Sequence, residues 1–285
     1  MILMYHHLAP REAISKNPPP DEAWGLNHTP HAFKEQVLAL RRRGWRFQSL
    51  VETVAEIRRT GREPRRTVEI TFDDGWIDQY EYGMPMLKEL GVTATFFVTT
   101  EHLRMGSRDP KRMGREQLLR LREAGMTVGG HTRTHRDLIK LSATEAREEI
   151  GGCKADLEAV LGDSIGLFAY PGGSFNAEVA NLARECGFDA ACSALGPARN
   201  DRSTLYWLHR DLLSEGTDSL RDRYRLSPLA RWMFAFRVKH RLRRQLRRQV
   251  SAARRHGPSE SYDPDAIGLS GLPVLQHLDR RRCLP

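Results

Sequence analysis

The chain has 285 residues, of which 40% are hydrophobic and 28% are charged; these values are typical of a globular protein and exclude a disordered or collagen-like chain. The net charge of +9 is concentrated, because ten basic residues and no acidic one lie between positions 226 and 259. The remaining chain is near neutral, which argues against nucleic acid as a partner.

Short β-rich runs alternate with longer helical patterns along most of the chain. Strands are predicted at 2–5, 68–72, 93–99, 126–129, 167–170, 190–193 and 206–213. Helices are predicted at 33–43, 82–90, 115–124, 142–161 and 177–186. Ser142 and Glu145 predict a capping box at the start of the longest helix. This alternation is typical of parallel βαβ units, and about seven strands in such a series predict an α/β fold built as a closed or nearly closed barrel.

The first polar motif follows the predicted strand at 68–72, where Asp73 and Asp74 precede a turn at Gly75. In β/α barrels the active site lies at the carboxyl ends of the strands. Adjacent residues of a strand point to opposite sides, so one carboxylate can bind a metal while the turn brings the other close. The alternative is an ordinary Asp-Asp-Gly turn, which is common in loops.

The second motif, His131-Thr132-Arg133-Thr134-His135, follows the predicted strand at 126–129. Two histidines four residues apart can bind one metal if the segment is helical or tightly turned. Gly129 and Gly130 precede the motif and leave the backbone free to shape a site. The alternative is a pair of surface histidines. Together with Asp74, the pair forms a two-histidine, one-carboxylate set that suits Zn²⁺ and other divalent metals.

A third motif, Tyr170-Pro171-Gly172-Gly173, ends the predicted strand at 167–170; by itself it indicates an ordinary loop. In order, the three motifs resemble those of the polysaccharide deacetylases (carbohydrate esterase family four, the NodB-homology domain). Two further segments, Leu3-Met4-Tyr5-His6 and Leu208-His209-Arg210, resemble the branch that includes exopolysaccharide and poly-N-acetylglucosamine deacetylases. The resemblance covers roughly residues 1–225.

The resemblance implies a distorted (β/α)₇ barrel over residues 1–225 and the metal-dependent removal of acetyl groups from N-acetylated sugars. It implies that Asp74, His131 and His135 bind a divalent metal, with Zn²⁺ preferred and Co²⁺ or Ni²⁺ as alternatives. It also implies that Asp73 is the general base toward the attacking water.

The resemblance further implies a backbone N–H near Tyr170 and Pro171 as the donor to the oxyanion. The general acid is expected to be His6, at the end of the first strand, because that strand corresponds to a late strand of other family members. His209 is a rival on a late strand. His277, in Leu275-Gln276-His277, fits the late family motif literally but lies beyond the barrel.

One position departs from the family pattern. Many members carry an arginine two residues before the proline of the third motif, where it orients the base, and this chain has Ala169 there. The resemblance to the exopolysaccharide branch implies that Arg210, from the late strand, supplies the missing charge to Asp73.

The basic segment at 226–256 predicts a partly helical, amphipathic C-terminal extension, followed by a poorly ordered tail at 257–285. Trp232 and Phe236 among its arginines are typical of a helix that lies on a membrane surface; a basic helix packed on the barrel is an equal alternative. The chain opens without a secretory signal, which predicts a cytoplasmic protein, with the inner face of the membrane as a further option.

The expected partners are an N-acetylated glycan or a lipid-linked oligosaccharide, with peripheral membrane contact through 226–256. Two other functions stay open on the same fold. One is hydrolysis of amide or imide C–N bonds in molecules that are not sugars. The other is a catalytically inactive scaffold that binds glycans, against which the complete set of Asp74, His131 and His135 argues.

Overall fold

The computed structural model of the protein describes residues 1–10, 12–13, 27–104, 110–194 and 198–212. The predicted basic segment at 226–256, the tail at 257–285 and His277 lie outside the described residues. Among those that are described, no helix combines membrane-spanning length with an apolar composition.

Strands and helices alternate as the sequence predicts. The strands are β1 (Ile2–Tyr5), β2 (His7–Leu8), β3 (Asn27–His28), β4 (Arg46–Phe47), β5 (Thr67–Phe72), β6 (Ala94–Val98), β7 (Thr127–Gly130), β8 (Leu167–Ala169), β9 (Ala190–Cys192) and β10 (Arg210–Leu212). The α-helices are α1 (Pro30–Arg42), α2 (Leu50–Thr60), α3 (Met84–Leu90), α4 (Glu101–Arg104), α5 (Arg115–Glu123), α6 (Ala143–Leu161) and α7 (Ala177–Glu185). The capping box of Ser142 and Glu145 is present at the start of α6.

The main sheet is parallel and follows the order β10-β1-β5-β6-β7-β8-β9, with β4 paired to β5 at its start. Across the remaining gap, β9 bonds to the segment before β10: the N–H of Ala191 donates to the carbonyl of Leu205 at 2.9 Å, and that of Leu208 to the carbonyl of Ala191 at 2.8 Å. The sheet is therefore nearly closed, which confirms the predicted distorted (β/α)₇ barrel.

The sequence prediction is wrong at the late strand, and it missed the short elements β2, β3, β4 and α4 as well as the longer helix α2. The late strand predicted at 206–213 is a strand only from Arg210, because the residues before it form a turn whose backbone groups bond to β9. The helix α2 was not predicted. Its N-terminus carries a detectable signal, since Ser49 and Glu52 form a capping box, the pattern that starts many helices.

Gly129 and Gly130 have a different role from the predicted one. Neither has a positive φ, so they do not supply backbone freedom to the second motif. A Cβ at Gly129 would lie 2.7 Å from the ring of Phe97 and 2.8 Å from the carbonyl oxygen of Leu167, and a Cβ at Gly130 would lie 3.0 Å from Cys153 Sγ. The glycines are required because β7 packs closely against β6, β8 and α6.

Gly129→Ala should therefore lower the free energy of unfolding by about 1–3 kcal/mol, the usual cost of forcing extra volume into a packed core. The matched control is Gly83→Ala, since Gly83 is also buried but a Cβ there meets only Leu8 and Phe72 at 3.5 and 3.8 Å. Urea unfolding of both variants measures the difference. Equal stability of the two variants would contradict the close packing at β7.

Candidate metal and catalytic site

The predicted site residues lie at one end of the barrel. His6 directly follows β1, Asp73 and Asp74 follow β5, His131 follows β7, and Tyr170 follows β8. Because all four strands are parallel, their carboxyl ends meet at the same edge of the sheet. The strand ends alone therefore bring the three sequence motifs together.

Asp74, His131 and His135 converge. Asp74 Oδ1 lies 3.4 Å from His131 Nε2 and 3.1 Å from His135 Nε2, and the three ligand atoms all lie within 4.8 Å of one another. Among the described residues, Oδ1 is a buried atom without a hydrogen-bond partner of its own. The residues present therefore fit a divalent metal, whose ligands are imidazole nitrogen and carboxylate oxygen.

The tautomer of His131 also suits a metal ligand. Its Nδ1 lies 2.7 Å from the carbonyl oxygen of Ala169, and a carbonyl can only accept, so the neutral ring carries its proton on Nδ1. This leaves the lone pair of Nε2 directed at Asp74, as in many metal-binding histidines. Burial would raise the pKa of Asp74, but hydrogen bonds and positive charge from the imidazoles of His131 and His135, when these carry a proton on Nε2, hold it well below its usual value.

Asp74 sits in a tight turn that other side chains support. Its φ is 75°, unusual for a residue with a side chain. The Nε1–H of Trp76 donates to Asp74 Oδ2 at 3.0 Å, and Arg112 Nη1 donates to the backbone oxygen of Asp74 at 2.6 Å. The Arg112 guanidinium also lies 3.4 Å from the centre of the Trp76 ring. One carboxylate oxygen is thus held by Trp76, and the other faces the histidines.

The second motif is a turn and not a helix. Thr132 and His135 have φ values of 65° and 59°, so neither residue can belong to a right-handed α-helix. The hydroxyl of Thr132 accepts a hydrogen bond from the N–H of His135 at 3.0 Å. This tight turn, one of the two forms that the spacing allows, brings the rings of His131 and His135 to 5.0 Å between centroids.

Asp73 is paired with Arg210, as the resemblance implied. Arg210 Nη1 and Nη2 each donate to one carboxylate oxygen of Asp73 at 2.7 Å. Arg210 also donates to the carbonyl of Ser193 at 2.9 Å and to Thr71 Oγ1 at 3.1 Å. The side chains of Arg210 and Asp73 are both buried. Burial opposes ionisation, but Arg210 and then His131 keep the pKa of Asp73 below its usual value.

His6 is partly buried at the end of β1, and its charge interacts with both carboxylates. Burial lowers its pKa, against the opposing charges of Asp73 and Asp74, and its Nδ1 has no hydrogen-bond partner among the described residues. His209, the predicted rival, is not among the groups with the largest effect on the pKa of either carboxylate. The neighbouring His7 is held by Asp78, with 2.6 Å between His7 Nδ1 and Asp78 Oδ2. The structure thus brings His6 into the site, and its role as acid stays a prediction.

The oxyanion donor predicted near Tyr170 is neither Tyr170 nor Pro171. The N–H of Tyr170 donates to the carbonyl of Cys192 at 3.1 Å, and its hydroxyl donates to the carbonyl of Tyr206 at 2.8 Å. Pro171 has no N–H. In the part of this turn that the structure describes, the N–H of Gly172 donates to no backbone carbonyl, which makes it the available donor.

Gln79 is a site residue that the sequence analysis missed. It is buried in a π-helical turn, Gln79–Gly83, a feature often found at functional sites. Its Nε2 donates to the backbone oxygens of His6 at 2.7 Å and of Asp73 at 2.5 Å. Gln79 therefore ties together the ends of the two strands that carry the predicted acid and base. A single glutamine in a helical pattern carries no sequence signal of this role.

Gln79→Met should lower the free energy of unfolding by about 1–3 kcal/mol for each carbonyl that loses its donor. Methionine keeps the volume and removes the hydrogen bonds, and the spacing of His6 and Asp73 should relax with it. Urea unfolding measures the loss. Glu81→Gln, at an exposed position of the same turn, is the control and should be neutral; equal effects of the two substitutions would contradict the bridging role.

Comparisons with known proteins match part of this chain to a known family. Residues 60–191 match the sequence profile of the polysaccharide deacetylase family. The protein YxkH of Bacillus subtilis, named as a candidate polysaccharide deacetylase, is 27% identical over 151 residues, which are 53% of this chain and 53% of YxkH. The chain thus spans about half the length of this curated relative.

Solved structures extend the similarity to the barrel. The Streptococcus pyogenes deacetylase PplD, solved in complex with acetate, matches with a TM-score of 0.66 and 25% identity over 76% of this chain and 92% of PplD. IcaB from Ammonifex degensii has the same fold, with a TM-score of 0.64 and 24% identity over 76% of this chain and 92% of IcaB.

Proposed function

We propose that the protein is a polysaccharide deacetylase, since residues 60–191 match the sequence profile of that family, and that it is a metal-dependent hydrolase that removes acetyl groups from N-acetylated sugars. One constellation carries the proposal. The ligand atoms of Asp74, His131 and His135 converge, and the next carboxylate, Asp73, is held by two hydrogen bonds from Arg210. A scaffold that only binds glycans would not need either arrangement.

Each side chain then has a distinct task in the hydrolysis of an acetamide to acetate and an amine. Asp74, His131 and His135 would hold the metal, which when bound supplies Lewis acidity toward water and the acetamide carbonyl. We expect Zn²⁺, with Co²⁺ or Ni²⁺ as alternatives that the same donors accept. Asp73 accepts the proton of the attacking water, because Arg210 keeps its carboxylate ionised and oriented.

The turn after β8 and the end of β1 complete the proposed chemistry. The N–H of Gly172, at the turn, donates to the oxygen of the acetamide as negative charge develops on it. His6 gives a proton to the departing amine, since an amine is expelled far more easily when it is protonated. His6 is the candidate acid whose charge interacts with both Asp73 and Asp74.

The experiment is acetate release from N-acetylglucosamine oligomers by protein that has been stripped with a chelator, with and without added Zn²⁺, Co²⁺ or Ni²⁺. Release that depends on the metal supports the proposal. Release at an equal rate in stripped and reconstituted protein overturns the metal dependence. Hydrolysis of small amides or cyclic imides, with no release from any acetylated sugar, would favour the alternative of a hydrolase acting on other C–N bonds.

The arrangement of the barrel supports a narrower proposal about which glycan is the substrate. The predicted acid lies on the first strand and the arginine partner of the base lies on β10, an arrangement that resembles the exopolysaccharide and poly-N-acetylglucosamine branch. We therefore propose a substrate in exopolysaccharide or cell-surface glycan assembly, either polymeric or lipid-linked. We further propose that the protein is cytoplasmic and that it contacts the membrane through 226–256; liposome co-sedimentation tests the membrane contact.

A further inference from the structure

The loop that carries His131 and His135 is bound by a carboxylate from outside the three motifs. Glu149 lies on α6, and its side chain is almost completely buried. Glu149 Oε2 accepts hydrogen bonds from the backbone N–H groups of Arg133 and Thr134, each at 2.9 Å. Glu149 Oε1 accepts a third from the Thr134 hydroxyl at 2.6 Å. One side chain thus holds both residues at the centre of the loop.

This support matters because the loop conformation is costly. Thr132 and His135 both have positive φ, a region that side chains with a Cβ disfavour, and such residues persist only where surrounding contacts hold them. All three hydrogen bonds that Glu149 accepts come from the two residues between them. Loss of Glu149 would therefore release the residues that separate the two strained positions, and with them the direction of the His135 ring.

A second contact with the same helix strengthens the first. The guanidinium of Arg133 donates to Asp156 at 2.9 and 3.2 Å, and it crosses α6 over Gly152. A Cβ at Gly152 would lie 2.2 Å from the guanidinium carbon, so a larger residue there would displace the guanidinium from this position. Glu149, Gly152 and Asp156 form one face of α6, at the spacing of successive helical turns.

We propose that Glu149 is a positioning residue for the metal site, which holds the His131–His135 loop in the shape that directs both Nε2 atoms at Asp74. The inference rests on the proposed function, because it assumes that these three residues bind a metal. Groups that orient metal ligands commonly change metal affinity by about 10–100-fold when they are removed. Glu149 acts on the backbone of the loop and touches neither ligand.

The experiment measures the Zn²⁺ affinity of the full chain by competition with a chromophoric chelator. Glu149→Met, which keeps the length of the side chain and removes both acceptors, should bind Zn²⁺ about 10–100-fold more weakly than the wild type. Glu149→Gln should retain most of the affinity, because one amide oxygen can still accept both N–H groups. Glu148→Met, at the exposed neighbouring position, is the matched control and should bind as the wild type does.

Thermal unfolding of the same metal-free samples separates positioning from folding. A lower Tm of Glu149→Met with unchanged Zn²⁺ affinity would overturn the inference, because Glu149 would then act only on stability. Thr134→Val is the milder variant if Glu149→Met does not fold: it removes one of three hydrogen bonds and should weaken Zn²⁺ binding a few-fold. If Glu149→Met does not fold and Thr134→Val binds Zn²⁺ as tightly as the wild type, the inference is also overturned. A wild type that binds none of the three metals overturns the proposed function and this inference together.

Discussion

An Asp73→Asn protein should bind Zn²⁺ as tightly as the wild type, within a few-fold, yet release acetate about 10²–10⁴-fold more slowly. Asparagine keeps the shape of the side chain and one oxygen for Arg210, but it cannot accept a proton from water. Asp73 is not among the three residues whose ligand atoms converge, so the metal site should survive. Measuring acetate release and Zn²⁺ affinity on one preparation checks both the slower reaction and the unchanged metal binding.

The neighbouring carboxylate provides the control for this prediction. Asp74→Asn should lose Zn²⁺ affinity and acetate release together, because Asp74 Oδ1 faces both histidines. The two variants differ by one position in the chain and separate the proposed base from the proposed ligand. If Asp73→Asn retained more than about one tenth of the wild-type rate, well above the usual effect of removing a general base, the role of Asp73 would have to be abandoned.

Arg210→Met should lower the free energy of unfolding of the metal-free protein by about 3–5 kcal/mol, which is the usual cost of leaving one partner of a buried ion pair alone. Asp73 and Arg210 are both buried, and the bond between them is bidentate. Without Arg210, the Asp73 carboxylate would have no cation among its bonded partners. Urea unfolding in the presence of a chelator measures the loss.

A double-mutant cycle tests whether this loss comes from the pair. Arg210→Met should cost considerably less when Asp73 is already Asn, because a neutral side chain does not need a countercharge. Some cost should remain, since Arg210 also bonds to Ser193 and Thr71. Residues in direct contact typically show a coupling of about 0.5–3 kcal/mol. A coupling near zero would show that the pair does not stabilise the barrel, and would place the contribution of Arg210 in its backbone contact.

Features encoded over a few residues were predictable. The capping box at Ser142, the turn at Gly75 and the alternation of strands and helices each depend on neighbours in the chain. Because parallel strands place their carboxyl ends together, the motifs at Asp73 and His131 also had to meet once the barrel was predicted. The pairing of Arg210 with Asp73 was implied by the resemblance to a family branch, and no local pattern predicts it.

Other features depend on contacts between residues distant in the chain. Gln79 reaches the backbone of His6, 73 positions earlier, and Glu149 reaches the His131–His135 loop from a separate helix. A backbone N–H near Tyr170 was expected to donate to the oxyanion, but the N–H of Tyr170 itself donates to β9. Gly129 was expected to give the backbone freedom, but it is glycine because its backbone lies too close to Phe97 and Leu167 for a side chain to fit. The residues that carry the chemistry could be identified from the sequence alone. Their orientation is decided by packing, because a hydrogen bond or a clash exists only when the barrel has brought its two atoms together.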